Sequence, residues 1–129
     1  MEPGEGFPVR TRQYTKDVQG TPTDFLFSVY EDRLLLFVNQ LGTAGTIITA
    51  TQDSTFDGST TFSTTVLMGR RDEPLLPLCA RRIVEGAHAK GYTKTMLICL
   101  ALKEHSQVCI KDVVRCVDEN NPWNPKTPS

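Results

Sequence analysis

Lys94–Lys103, KTMLICLALK, restricts the fold of this chain more than any other stretch. In an extended strand, Met96, Ile98, Leu100 and Leu102 fall on one side, and Leu97, Cys99 and Ala101 on the other. A strand apolar on both sides needs cover on both sides. Arg33–Leu41 makes the same demand, with Leu34, Leu36 and Val38 on one side and Leu35 and Phe37 on the other.

The rest of the chain supplies few candidates for that cover. Val9–Val18, Asp24–Tyr30, Thr46–Thr51 and Thr61–Met68 also read as strands, each bounded by turn residues or by a polar loop. Gly20-Thr21-Pro22 and Glu31-Asp32 punctuate the first hairpins. Gly42 and Gly45 mark a turn calling for positive φ. Gln52–Thr60, QDSTFDGST, is a polar loop with one aromatic, Phe56.

Asp72-Glu73-Pro74 opens a first helix, with Asp72 as its N-cap and Pro74 as its first residue. Its apolar stripe is Leu76, Cys79, Ile83, Val84 and Ala87; Lys90 and Gly91 close it. A second helix, about Ser106–Val117, carries Ile110, Val113, Val114 and Val117.

The pattern reads as α+β: about six strands in an antiparallel sheet, with two helices on one face. Residues 1–8 read as a flexible N-terminus, 9–117 as a single domain, and 118–129 as a Pro-rich disordered tail. With both helices on one side, the other sheet face has nothing of its own chain to cover it. The expected solution is a second copy or a paralogue, sheet against sheet, with Leu35, Phe37, Leu97 and Cys99 at the interface. The competing arrangement is a monomer whose helices split across the two faces.

The chain has 129 residues, a net charge of −1 and 22% charged residues, which leaves no field to attract nucleic acid or an anionic membrane. No run approaches the length of a membrane-spanning helix, and MEPGEGFPVR has no apolar signal region. A cytoplasmic protein, with a nuclear location also open, is expected. Cys79, Cys99, Cys109 and Cys116 sit in apolar runs without a C-x-x-C, so they read as buried reduced thiols.

No catalytic constellation emerges. Gly42-x-x-Gly45-Thr46 is followed by no lysine and leads into a strand rather than a helix, so it reads as a turn and not a phosphate loop. Cys109 and Cys116 lie two helical turns apart, too far to share one ion, and neither His88 nor His105 has a ligand neighbour. Ser54, Ser59 and Ser63 stand in no G-x-S-x-G. Asp72-Glu73 reads as capping. Arg70-Arg71 and Arg81-Arg82 read as solvated flanks, with a basic rim for an acidic partner as the alternative. The prolines of Pro122–Pro128 allow a docking peptide. No enzyme activity, cofactor or metal is expected.

Four strings, in this order, resemble the proteasome assembly chaperone 3 family. They are Gly20-Thr21-Pro22-Thr23, Gln40-Leu41-Gly42-Thr43-Ala44-Gly45-Thr46, Leu67-Met68-Gly69 with Asp72-Glu73-Pro74-Leu75, and Cys79-Ala80-Arg81-Arg82-Ile83-Val84. The resemblance spans about Gly20 to Cys116; Arg70-Arg71 makes one link a residue longer than usual, and the Pro-rich tail is extra. It implies a non-enzymatic chaperone that pairs, through stacked sheets, with a related fourth assembly chaperone or with itself. The pair would hold proteasome α-type subunits as the 20S α-ring forms and leave before maturation. By position, Gln52–Thr60 resembles the family's partner-contacting loop, which makes Phe56 the candidate anchor and Asp53 and Asp57 its charged orienters. The alternative is a small dimeric α+β scaffold that binds a GTPase or adaptor in a trafficking complex.

Overall fold

The structure is a computed structural model and describes residues 10–123. Its elements run β1 Arg10–Val18, β2 Thr21–Val29, β3 Arg33–Asn39, β4 Thr46–Ser54, β5 Thr60–Met68, α1 Leu75–Ala89, β6 Thr95–Ala101 and α2 Gln107–Glu119. The strands form one sheet in the order β1-β2-β3-β6-β4-β5. Every neighbouring pair is antiparallel except β3–β6, which is parallel.

The sheet is therefore mixed, which corrects the purely antiparallel expectation. The reason lies in how β6 arrives. Hairpins force antiparallel neighbours, but β6 follows α1, and a helical crossover admits a parallel neighbour. The chain returns from the outer strand β5 to the centre and slots β6 between β3 and β4. The most apolar strand thus takes a central place, where its two flanks are paired and both faces lie farthest from the sheet edges.

Both helices lie on one face. α1 packs over β4, β5 and β6, while α2 packs beside α1 and reaches β1. Phe25, Phe27, Leu34, Leu36, Val38, Ile48, Met96, Ile98 and Leu100 point inward and are buried beneath Leu76, Ile83 and Val84 of α1 and Ile110, Val113 and Val117 of α2. Burying each of these large side chains contributes about 1.5–3 kcal/mol. The split-helix monomer is excluded by this one-sided core.

α1 begins one residue later than expected, and Asp72 does not cap it. Pro74 occupies the N-cap without a side-chain hydrogen bond. The Glu73 carboxylate instead accepts from the Leu75 N–H at 3.2 Å. Asp72 pairs with Arg70 at 3.3 Å, and that hydrogen bond holds its carboxyl below the usual range. Pro77 falls in the first turn, where its missing N–H has no helical partner to lose. α2 is capped by the Ser106 hydroxyl, which accepts from the Cys109 N–H at 3.2 Å.

Residues 118–123 are ordered against the core, where disorder is expected from the sequence. α2 runs on to Glu119, and Asn121 and Pro122 are buried. The Asn121 amide donates to the Val117 and Asp118 carbonyls at 2.8 and 3.0 Å, satisfying acceptors that the helix end leaves free. Arg10 donates to the Pro122 carbonyl at 2.9 Å, and Arg12 to the Asn120 side chain at 2.9 Å. Trp123 packs edge-on against Phe27 with centroids 5.8 Å apart and lies 5.4 Å from the Tyr92 ring. These contacts bind the end of α2 to β1. The expectations for residues 1–9 and 124–129 lie outside the described residues.

Because Trp123 closes this corner, Trp123→Ala should remove about 2 kcal/mol of stability and lower Tm by several degrees in a thermal melt.

Candidate functional site

The face opposite the helices carries no covering element among the described residues. Register places Leu26 opposite Phe37, Phe37 opposite Cys99, Cys99 opposite Ile47, and Ile47 opposite Met68. An apolar row therefore crosses five strands. A second row, Leu35 opposite Leu97 and Leu97 opposite Thr49, runs beside it. Phe37 is 40% exposed and Met68 65%, while Leu35, Leu97 and Cys99 are half-buried. Toward β5 the face turns to hydroxyls, with Thr49, Thr51, Ser63 and Thr65.

Six strands about 4.8 Å apart and seven to nine residues long give this face an extent of roughly 600 Å². That is the scale of what one partner buries in a stable complex, about 800 Å². The four residues expected at the interface, Leu35, Phe37, Leu97 and Cys99, all lie on it and adjoin one another. Burial pushes the Cys99 thiol up from its usual pKa, so it is an apolar contact rather than a nucleophile.

The loop residues behave differently. β4 extends to Ser54, so Asp53 stands on a strand, paired with Thr61, and not in the loop. The turn itself is Thr55–Ser59, and Phe56 at its tip is fully exposed. Asp57 does not point a free charge outward. Its carboxylate accepts from the Ser59 hydroxyl at 2.6 Å, the Ser59 N–H at 3.1 Å and the Thr55 hydroxyl, which draws its pKa down to about 2. Gly58 completes the turn at φ +88°. Asp57 thus shapes the loop that presents Phe56.

Two of the sequence strings meet in space. Gln40 is 2% exposed; its side-chain amide donates to the Thr23 hydroxyl at 3.0 Å and its oxygen accepts from the Lys103 N–H at 2.7 Å. It ties the ends of β2, β3 and β6 together. Gly45 does not need positive φ; a Cβ there would come within 2.6 Å of the Cys99 sulfur. Gly69, at φ +112°, passes so close to Thr46 that a Cβ would lie 2.7 Å from its Cα, and the Arg70 N–H donates to the Thr46 hydroxyl at 3.1 Å. Gly45 of QLGTAGT and Gly69 of LMG therefore serve one junction, which seats the β5–α1 link against the start of β4. Nothing in either string names the other, so the sequence alone does not show that they meet.

The family model for proteasome assembly chaperone 3 matches residues 36–120. Proteasome assembly chaperone 3 of Bos taurus is 31% identical over 122 residues, covering 92% of this chain and 99% of the relative. The chain belongs to the proteasome assembly chaperone 3 family. The family member of Nematostella vectensis is 32% identical over 115 residues, covering 82% of each chain, and that of Homo sapiens 28% over 117 residues, covering 89% and 95%. The fold is similar to one chain in the crystal structure of a novel chaperone complex for yeast 20S proteasome assembly. The TM-score is 0.68 at 11% identity, with 86% of this chain and 98% of that one covered. Family membership displaces the trafficking-scaffold alternative.

The Gln40 clamp gives this region its own test. Gln40→Leu leaves the Thr23 hydroxyl and the Lys103 N–H without their partner and should cost about 2–4 kcal/mol, lowering Tm by roughly 10 °C.

Proposed function

We propose that this chain is a non-enzymatic chaperone of proteasome assembly that works in the cytoplasm as one half of a sheet-to-sheet dimer. Family membership carries the chaperone role. The uncovered apolar row from Leu26 to Met68 is the observation that supports the dimer. Its partner is a related assembly chaperone or a second copy, and either presents the same kind of face. Sheets packed face to face stand about 10 Å apart, which lets side chains such as Phe37 and Leu97 interdigitate with their counterparts.

Proteasome α-type subunits are the proposed clients during α-ring formation, with release before maturation. The Thr55–Ser59 turn suits such a client. Phe56 offers a single aromatic anchor on a small polar surface, and a contact of that size stays weak enough to be displaced. Asp57 acts by holding the turn, and Asp53 lies at its base.

Phe56→Ala should reduce recovery of α-type subunits in an affinity isolation at least fivefold while leaving the apparent mass of the chaperone pair unchanged. Paired Phe37→Lys and Leu97→Lys should halve that mass by size-exclusion chromatography. Undiminished α-subunit recovery with Phe56→Ala would discard the loop assignment, and an unchanged mass with the two lysines would discard the sheet interface.

A further inference from the structure

On the outer side of the helix layer, away from the uncovered sheet face, α1 and α2 leave a groove of about 430 Å³ between them. Ile83 and Ala87 from α1 and Val114 and Val117 from α2 form its apolar lining, and Trp123 stands at one end. Arg82 of α1 and Lys111 of α2 both border it. Among the described residues neither makes a hydrogen bond or an ion pair. The same two cations also border a hollow of about 10 Å³ beside Leu75, Leu78 and Ile110, too small to seat a side chain.

Two further charges line the larger groove. Arg115 is already neutralised by Asp112 and Glu119, and Asp118 sits at the far side, near Gly86. Gly86 also borders the groove. It lies within α1 rather than at its C-cap, where glycine is less favourable than alanine. A Cβ there would meet only the Asp118 carboxylate, at 4.0 Å. The packing of the described residues does not require a glycine at this position, yet its missing side chain is what keeps the groove floor open.

We propose that this crevice binds an acidic peptide segment of another protein, with carboxylates between Arg82 and Lys111 and a bulky apolar side chain seated over Gly86. Charge complementarity selects this occupant over residues 124–129 of the chain itself, NPKTPS, which carry a lysine and no acidic side chain. The site is independent of the sheet-to-sheet dimer and of the Phe56 loop.

Fluorescence anisotropy with the full chain tests it, using a rhodamine-labelled peptide in which three acidic residues follow a phenylalanine. Saturable binding is expected, at least tenfold weaker when the acidic residues are replaced by lysine, and weaker in high salt. The Arg82→Glu, Lys111→Glu double variant should lose at least tenfold in affinity. Gly86→Leu, which fills the groove with a strong helix former, should lose as much while Tm stays the same or rises. Equal binding of the lysine peptide, or wild-type affinity in either variant, would overturn the proposal. So would tighter binding of a synthetic NPKTPS peptide, or a change in the sedimenting mass of the double variant, which would assign the crevice to a second copy.

Discussion

The molecule depends on one imbalance: its central strands are apolar on both faces, and its two helices cover only one of them. β6 lies between β3 and β4 with Met96, Ile98 and Leu100 under the helices and Leu97 and Cys99 on the side that nothing in the described chain covers. Monomers seldom leave contiguous apolar areas above a few hundred Å² in water. On the sheet-to-sheet pairing proposed above, the uncovered side is half of an interface, and the fold half of a larger core. The hydroxyl-rich border near β5 gives that half-core a polar rim, as interfaces between separable partners have.

The residues that make this chain recognisable as a family member have structural tasks, and the contacts expected to face clients lie elsewhere. Gln40 is a buried clamp on three strands, and Gly45, Thr46, Gly69 and Arg70 form one tight crossing. That crossing sets where the chain leaves β5 and so where α1 starts. The Thr55–Ser59 turn lies at the far end of the β4–β5 hairpin from this junction, free to be shaped by its own hydrogen bonds.

Alternation alone placed Leu35, Phe37, Leu97 and Cys99 on a common side, because period-two patterning is a property of any strand whatever its neighbours. It could not show that β3 and β6 run parallel, since adjacency in the sheet depends on a crossover whose partners are distant in sequence. The strand ends and the position of Asp53 were misjudged because polar residues continue the β4–β5 ladder well past the last apolar one. Asn120-Asn121-Pro122-Trp123 looked like loop chemistry; its role as a helix-end cap and aromatic plug depends on Arg10, Arg12 and Phe27, more than ninety residues earlier. Charge roles proved hardest to read, because Asp57 is engaged by its own turn and Asp72 by Arg70, and neither engagement leaves a mark in the sequence.

Sedimentation of the wild-type chain across a dilution series reads the central claim directly. The account predicts a species of twice the 14.4 kDa chain mass at micromolar concentration, or a one-to-one complex when a related assembly chaperone is present. A folded, monodisperse monomer that persists at those concentrations, with Phe37 and Leu97 in water, would contradict it.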